Sequence, residues 1–142
     1  MNYFNNFIIV DDDRINNKLC RKIIEKIYPK SGIIDFCDPQ EGFGYLANEF
    51  ACEAGDKRAI LLLDIIMPVM NAWEFLEQFE KLEENVKNRI KIFILSSSVD
   101  KNDMAKAKAN KHVEYYLIKP LTDETIHLIV HMLNKKLGLS DR

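Results

Sequence analysis

The sequence predicts an α/β protein built on a doubly wound, five-stranded parallel sheet with helices on both faces. Short aliphatic runs alternate along the chain with longer segments of helical period, the pattern of strands joined by crossover helices. The run Ala59 to Leu63 is apolar at every position, as a strand covered on both faces must be. No stretch between these segments has the composition of a linker, and no repeat or low-complexity tract interrupts them.

Taken in order, Phe7 to Val10 reads as the first strand. Ile15, Leu19, Ile23, Ile24 and Ile27 recur at helical spacing and predict the inner face of a first helix that ends near Tyr28-Pro29. "GIIDFC" from Gly32 is a second strand, followed by a weaker helix from Pro39 to Ala51 with Phe43, Leu46, Ala47 and Phe50 turned inward. Ala59 to Leu63 is the third strand. A third helix starts at Asn71, a good N-cap, with Trp73, Leu76, Phe79 and Leu82 spaced at three; Trp73 is expected in the core and Phe75 at the surface. "IKIFIL" gives strand four, Lys101 to Asn110 a short Ala/Lys helix, "EYYLI" strand five, and Thr122 onward the last helix, where Asp123 and Glu124 suit the N-terminus.

Composition narrows the function classes. At 142 residues the chain has about one domain's length, and the expectation is a single domain over residues 1–142, with a core from about 7 to 137 and no effector domain. A net charge of −2 offers no basic field to nucleic acid or to an anionic membrane surface. Cys20, Cys37 and Cys52 are far apart and form no CxxC pair, which argues against disulfides or zinc and for a reducing, cytoplasmic setting. The start "MNYFNNFIIVDDD" has neither the basic nor the long apolar region of a signal peptide, and no run is long enough to span a bilayer.

Asp64 raises the chemical question, because it ends an aliphatic strand where a lone carboxylate would lose its water. Ligands of open parallel sheets bind beyond the carboxyl ends of the strands. Those ends deliver Asp11, Asp12 and Asp13, then Asp64, then Ser96, Ser97 and Ser98, then Lys119-Pro120. Each has a plain alternative: Asp13 suits an N-cap, Asp64 could accept backbone N–H groups, and the serines could form a loop. Together they describe carboxylates that repel unless a cation joins them, beside one ammonium and a hydroxyl. Mg²⁺ (or Mn²⁺) suits such a set of oxygens, and the set suits a phosphoryl group that Asp64 could accept as nucleophile. His127 and His131, four apart on the last helix, form a possible metal pair without a third ligand nearby in sequence.

"FIIVDDD", "LLLDIIMPVMNAWEF", "FILSSS" and "YYLIKPL" resemble, in order and spacing, the signature segments of bacterial response-regulator receiver domains, and the likeness covers Phe7 to about Leu137. The resemblance implies a flavodoxin-like fold with strand order 2-1-3-4-5. It implies that Asp64 is the phosphoacceptor, and that Asp11, Asp12, Asp64 and the backbone carbonyl of Ile66 hold the metal, Asp12 directly and Asp11 partly through water. It matches Lys119 to the phosphate-contacting lysine, with a cis Lys119–Pro120 bond, Ser96 (or Ser97) to the switch hydroxyl and Tyr116 to the switch aromatic, leaving Tyr115 to face the other way. The expected donor is a histidine kinase or histidine phosphotransfer protein. The expected output is a shift of the surface made by the fourth helix, fifth strand and fifth helix, which binds an unknown downstream protein. The resemblance further implies a monomer or a weak phosphorylation-dependent dimer, and no enzyme beyond its own phosphorylation and dephosphorylation. Ile66 and Ser98 flank the path of hydrolytic water and imply a long-lived phosphorylated form. A haloacid-dehalogenase-type phosphatase would want a second Asp two residues after the nucleophile, where Ile66 stands.

Overall fold

The computed structural model describes residues 4–53, 57–136 and 138. Among them five parallel strands form one sheet in the order β2-β1-β3-β4-β5. The strands are β1 (Asn6–Val10), β2 (Gly32–Phe36), β3 (Ala59–Leu63), β4 (Ile90–Ser96) and β5 (Val113–Ile118). The helices are α1 (Arg14–Ile27), α2 (Pro39–Tyr45), α3 (Ala72–Glu80), α4 (Lys101–Ala109) and α5 (Asp123–Lys136). The expected fold class and strand order are both present. Leu137, where the sequence reading ends the core, and the short tail after Gly138 lie outside the described residues.

The alternation of side chains along each strand divides the interior into two layers. Ile8, Val10, Leu61, Leu63, Ile92 and Ile94 pack on one face with Leu46, Phe75, Leu76 and Phe79. Phe7, Ile9, Ile60, Leu62, Phe93 and Leu95 pack on the other with Cys20 and Ile24 of α1 and Ile126, Ile129 and Leu133 of α5. All five residues of β3 are buried, which is why its sequence shows no polar alternation. Helix α2 continues into a π-helical turn, Leu46–Phe50, and approaches the sheet closely at Gly42, where a Cβ would meet Val10 Cγ2 at 2.8 Å. That contact requires glycine.

Two helix faces differ from the expectation. Ile15 and Leu19 of α1 are 71% and 51% exposed, while Asn16, Asn17, Cys20 and Ile24 are buried. The first turns of α1 cover the polar end of β1, so donors rather than alkyl groups face inward there. On α3 the buried stripe is Ala72, Phe75, Leu76 and Phe79. Phe75 is therefore core where the surface was expected, while Trp73 is half-buried and packs against the same core; a strict spacing of three drifts off one face of a 3.6-residue helix. Trp73 also meets α4, with Lys106 Nζ 5.8 Å from its ring centre. A helical turn at Glu84–Lys87 was also not anticipated. Among the described residues no helix is long and apolar enough to cross a membrane.

Asn71 caps α3 in a reciprocal box, its side chain accepting from Glu74 N at 2.9 Å while the Glu74 carboxylate accepts from Asn71 N at 3.0 Å. Just before it, Met70 N donates to Pro68 O at 2.7 Å across Val69, whose φ is +71°. A β-branched residue in that region is strained by about 1–3 kcal/mol. Asn tolerates it better, so Val69→Asn is expected to stabilise the fold by about 1 kcal/mol, read as a higher urea midpoint at unchanged slope.

Candidate functional site

The register of the sheet brings the predicted acids to one edge. Val10 pairs with Leu63, and Asp64 N donates to Val10 O at 3.0 Å, so Asp11 and Asp64 leave adjacent strands side by side. Leu63 in turn pairs with Ile94, which sets Asp64 beside Leu95 with Ser96 one residue beyond. Lys119 follows β5, its N–H bonded to Ser96 O at 2.9 Å, and its bond to Pro120 is cis.

Carboxylate oxygens of Asp11, Asp12 and Asp64 lie within 4.8 Å of one another. Asp11 and Asp64 are buried, and Asp12 is exposed at the mouth. Asp11 is the fixed member: Oδ1 accepts Asp13 N at 2.8 Å, and Oδ2 accepts Asn16 Nδ2 at 2.8 Å and Lys119 Nζ at 2.8 Å. Its carbonyl takes Asn17 Nδ2 at 2.9 Å. Asp13 caps α1 through the N–H groups of Ile15 and Asn16, so it serves the helix rather than the acid cluster. Lys119 Nζ stands 3.7 Å from Asp64 Oδ1.

Three carboxylates facing one ammonium leave two negative charges uncompensated. Burial, then the charge of Asp11, push Asp64 up to about 6, against the pull of Lys119. Burial alone would lower Lys119, yet the hydrogen bond and charge of Asp11, joined by the charge of Asp64, raise it above its ordinary value and keep it an ammonium. The same burial and the same Asp11 charge push the Cys20 thiol up to about 12, so it stays inert. A hard divalent ion fits this oxygen set and relieves the excess charge. Because the folded chain holds a proton on Asp64 that the unfolded chain releases, stability without such an ion falls as pH rises from 3.8 to about 6. Mg²⁺ at a hundred-fold excess over its Kd is expected to add about 2.7 kcal/mol near neutral pH. Calorimetry should show a shift of several degrees there and a smaller one well below pH 6, where protons compete.

Ser96 is buried at the end of β4 and its Oγ accepts Ser98 N at 3.1 Å, while Ser97 is exposed. Tyr116 is half-buried with its hydroxyl donating to Ser98 O at 2.8 Å, and Tyr115 points outward at 54% exposure. Ile66 is 74% exposed beside the acid cluster. Asn16 and Asn17 were not anticipated; their place after "DDD" on the inner side of α1 was hidden by the apolar Ile15 and Leu19 beside them. His127 packs on the Tyr28 ring, and among the described residues His127 and His131 join no metal-binding group.

A family model described as the response regulator receiver domain matches residues 7–131. A response regulator receiver protein from Dyadobacter fermentans DSM 18053 is 32% identical, with 95% of this chain and 98% of that chain covered at a TM-score of 0.79. A two component response regulator from Cytophaga hutchinsonii is also 32% identical over the same shares, at a TM-score of 0.80. The cyclic di-GMP phosphodiesterase response regulator RpfG of Xanthomonas campestris pv. campestris (strain 8004) is 32% identical over 116 residues, 82% of this chain and 28% of that protein. The chain thus spans less than a third of that relative's length.

Proposed function

The chain belongs to the response regulator receiver domain family, whose general function is phosphorylation-dependent signalling, and from that premise we propose that Asp64 is the residue phosphorylated. One observation carries the reading: Asp64 sits at the end of a wholly buried strand with two further carboxylates and the Lys119 ammonium around it. The donor is a phosphohistidine of a sensor kinase or phosphotransfer protein. An Asp64 carboxylate oxygen bonds to phosphorus, the P–N bond breaks, and its electron pair leaves with the imidazole.

Receiver domains bind Mg²⁺ at their acidic pocket, and here Asp11, Asp12, Asp64 and the carbonyl of Ile66 would hold it. When bound, the ion neutralises charge on the phosphoryl oxygens. Exposed Asp12 would be the freest to ligate it directly, whereas Asp11, held by three donors, would contribute partly through water. Lys119 takes a second phosphoryl oxygen and the Ser96 hydroxyl a third. The burial of Ser96 and the exposure of Ser97 favour Ser96 in that role. Movement of Ser96 is relayed through the Ser98 segment to Tyr116, and so to the surface of α4, β5 and α5. Of that surface α4 buries Ala107 alone, a weak attachment suited to a shift of population on phosphorylation. A downstream protein binds there. The chain signals rather than turning over a substrate, and it catalyses only its own phosphorylation and dephosphorylation.

Acetyl phosphate with Mg²⁺ tests this directly. The expected product is one hydroxylamine-labile phosphoryl group on the intact protein; steady hydrolysis of other phosphate esters would indicate a phosphatase, and no label a binding module only. The exposed alkyl group of Ile66 shields the approach of water, so Ile66→Asn is expected to speed loss of the label several-fold. A half-life unchanged by that substitution counts against the shielding role.

A further inference from the structure

We propose that Asn16 is a positioning residue for the phosphoryl site, the donor that keeps Asp11 satisfied when Lys119 turns toward a group on Asp64. The inference rests on the roles given above to Asp64 and Lys119 and adds a residue to them. At rest Lys119 Nζ is 2.8 Å from Asp11 Oδ2 and 3.7 Å from Asp64 Oδ1, so its hydrogen bond belongs to Asp11. To reach an oxygen on Asp64 it must give up or share that bond. Asp11 is only 2% exposed, and a buried carboxylate that loses its ammonium is heavily penalised unless other donors remain.

Asn16 supplies that donor. Its Nδ2 lies 2.8 Å from Oδ2, the oxygen that Lys119 holds, while Oδ1 keeps the N–H of Asp13 at 2.8 Å. After Lys119 moves, each oxygen of Asp11 still accepts one hydrogen bond. The donor is held in place, because Asn16 is 8% exposed and its backbone N–H is capped by Asp13 at 3.2 Å. A neutral amide suits the position better than a cation would, since it satisfies geometry without cancelling the charge that a divalent ion needs from Asp11.

The test separates this role from simple packing. Asn16→Leu keeps the volume and removes the donor. Calorimetric titration would give the Mg²⁺ Kd and then, at saturating Mg²⁺, the Kd for beryllofluoride, the probe for a phosphoryl group on Asp64. Loss of a hydrogen bond to a charged group predicts beryllofluoride binding weakened roughly ten-fold or more, with Mg²⁺ affinity changed by less than roughly two-fold. In a Lys119→Met background, where no ammonium leaves Asp11, Asn16→Leu should cause no further loss. Unchanged beryllofluoride affinity, a parallel fall in both affinities, or a full effect in the Lys119→Met background would overturn the proposal. Should Asn16→Leu fail to fold, Asn16→Ala read against Lys119→Met gives the same comparison. A wild-type chain that binds Mg²⁺ but not beryllofluoride would refute the phosphoacceptor reading itself, a separate outcome.

Discussion

Asp64→Ala is expected to abolish covalent phosphorylation by acetyl phosphate completely, while leaving a folded protein. No other acid can replace it. Asp11 is held by Asp13, Asn16 and Lys119, and exposed Asp12 stands outside the strand end where the ammonium waits. The same substitution removes a carboxylate that burial and Asp11 make costly to ionise, so above pH 6 and without Mg²⁺ the variant should melt at or above the wild-type temperature. Intact-mass measurement and calorimetry on one sample settle the matter. A label that persists in Asp64→Ala moves the acceptor elsewhere; a label lost together with a collapsed melting temperature says nothing specific about chemistry.

The largest loss of stability is expected at Arg89, far from this chemistry, where β4 begins. Its side chain is buried at 3% exposure and, among the described residues, donates to three backbone carbonyls: Nε to Asn85 at 3.1 Å, Nη1 to Lys57 at 3.2 Å and Nη2 to Phe50 at 3.3 Å. The guanidinium also lies 4.6 Å from the Phe50 ring centre. It thereby joins the π-helical turn after α2, the approach to β3 and the Glu84–Lys87 turn. Met fills similar space but donates nothing, leaving those carbonyls short of partners. Arg89→Met should therefore cost about 3–5 kcal/mol, a large share of the total for a domain of this size. Urea unfolding would show it as a lower midpoint at unchanged slope, and a loss below about 1 kcal/mol would mean that water serves these carbonyls equally well. At low temperature the folded fraction should still take the label, because the acid cluster lies at the opposite ends of the strands.

The strands were legible because buried parallel strands are written in short, largely aliphatic runs, and their order through the family resemblance; Asp64, Lys119 and Asp12 stood out because each interrupts or ends such a run. Less legible were residues whose partners are distant in sequence. Asn16 and Asn17 look like ordinary polar positions on a helix, set between Ile15 and Leu19, and only the buried carboxylate of Asp11 makes them inward. Arg89 reads as a surface cation until the carbonyls of Phe50 and Lys57 are brought to it. On α3, hydrophobicity at three-residue spacing concealed which aromatic faced the sheet, since Trp73 and Phe75 are both large and apolar and helical drift alone separates them. The exposed Ile15 and Leu19 mislead for the complementary reason, that apolar character marks burial only where a sheet lies beneath.

The place of Trp73 has a practical consequence. It is the sole tryptophan of the chain, it stands in the first turn after the loop that carries Asp64, and the Lys106 ammonium of α4 approaches its ring. Indole emission responds to nearby charge, so the protein contains its own optical gauge, attached at one side to the chemistry and at the other to the helix that would report it. Under the proposed switch, events at the acid cluster and a displacement of α4 would be timed in stopped flow on the unlabelled native chain.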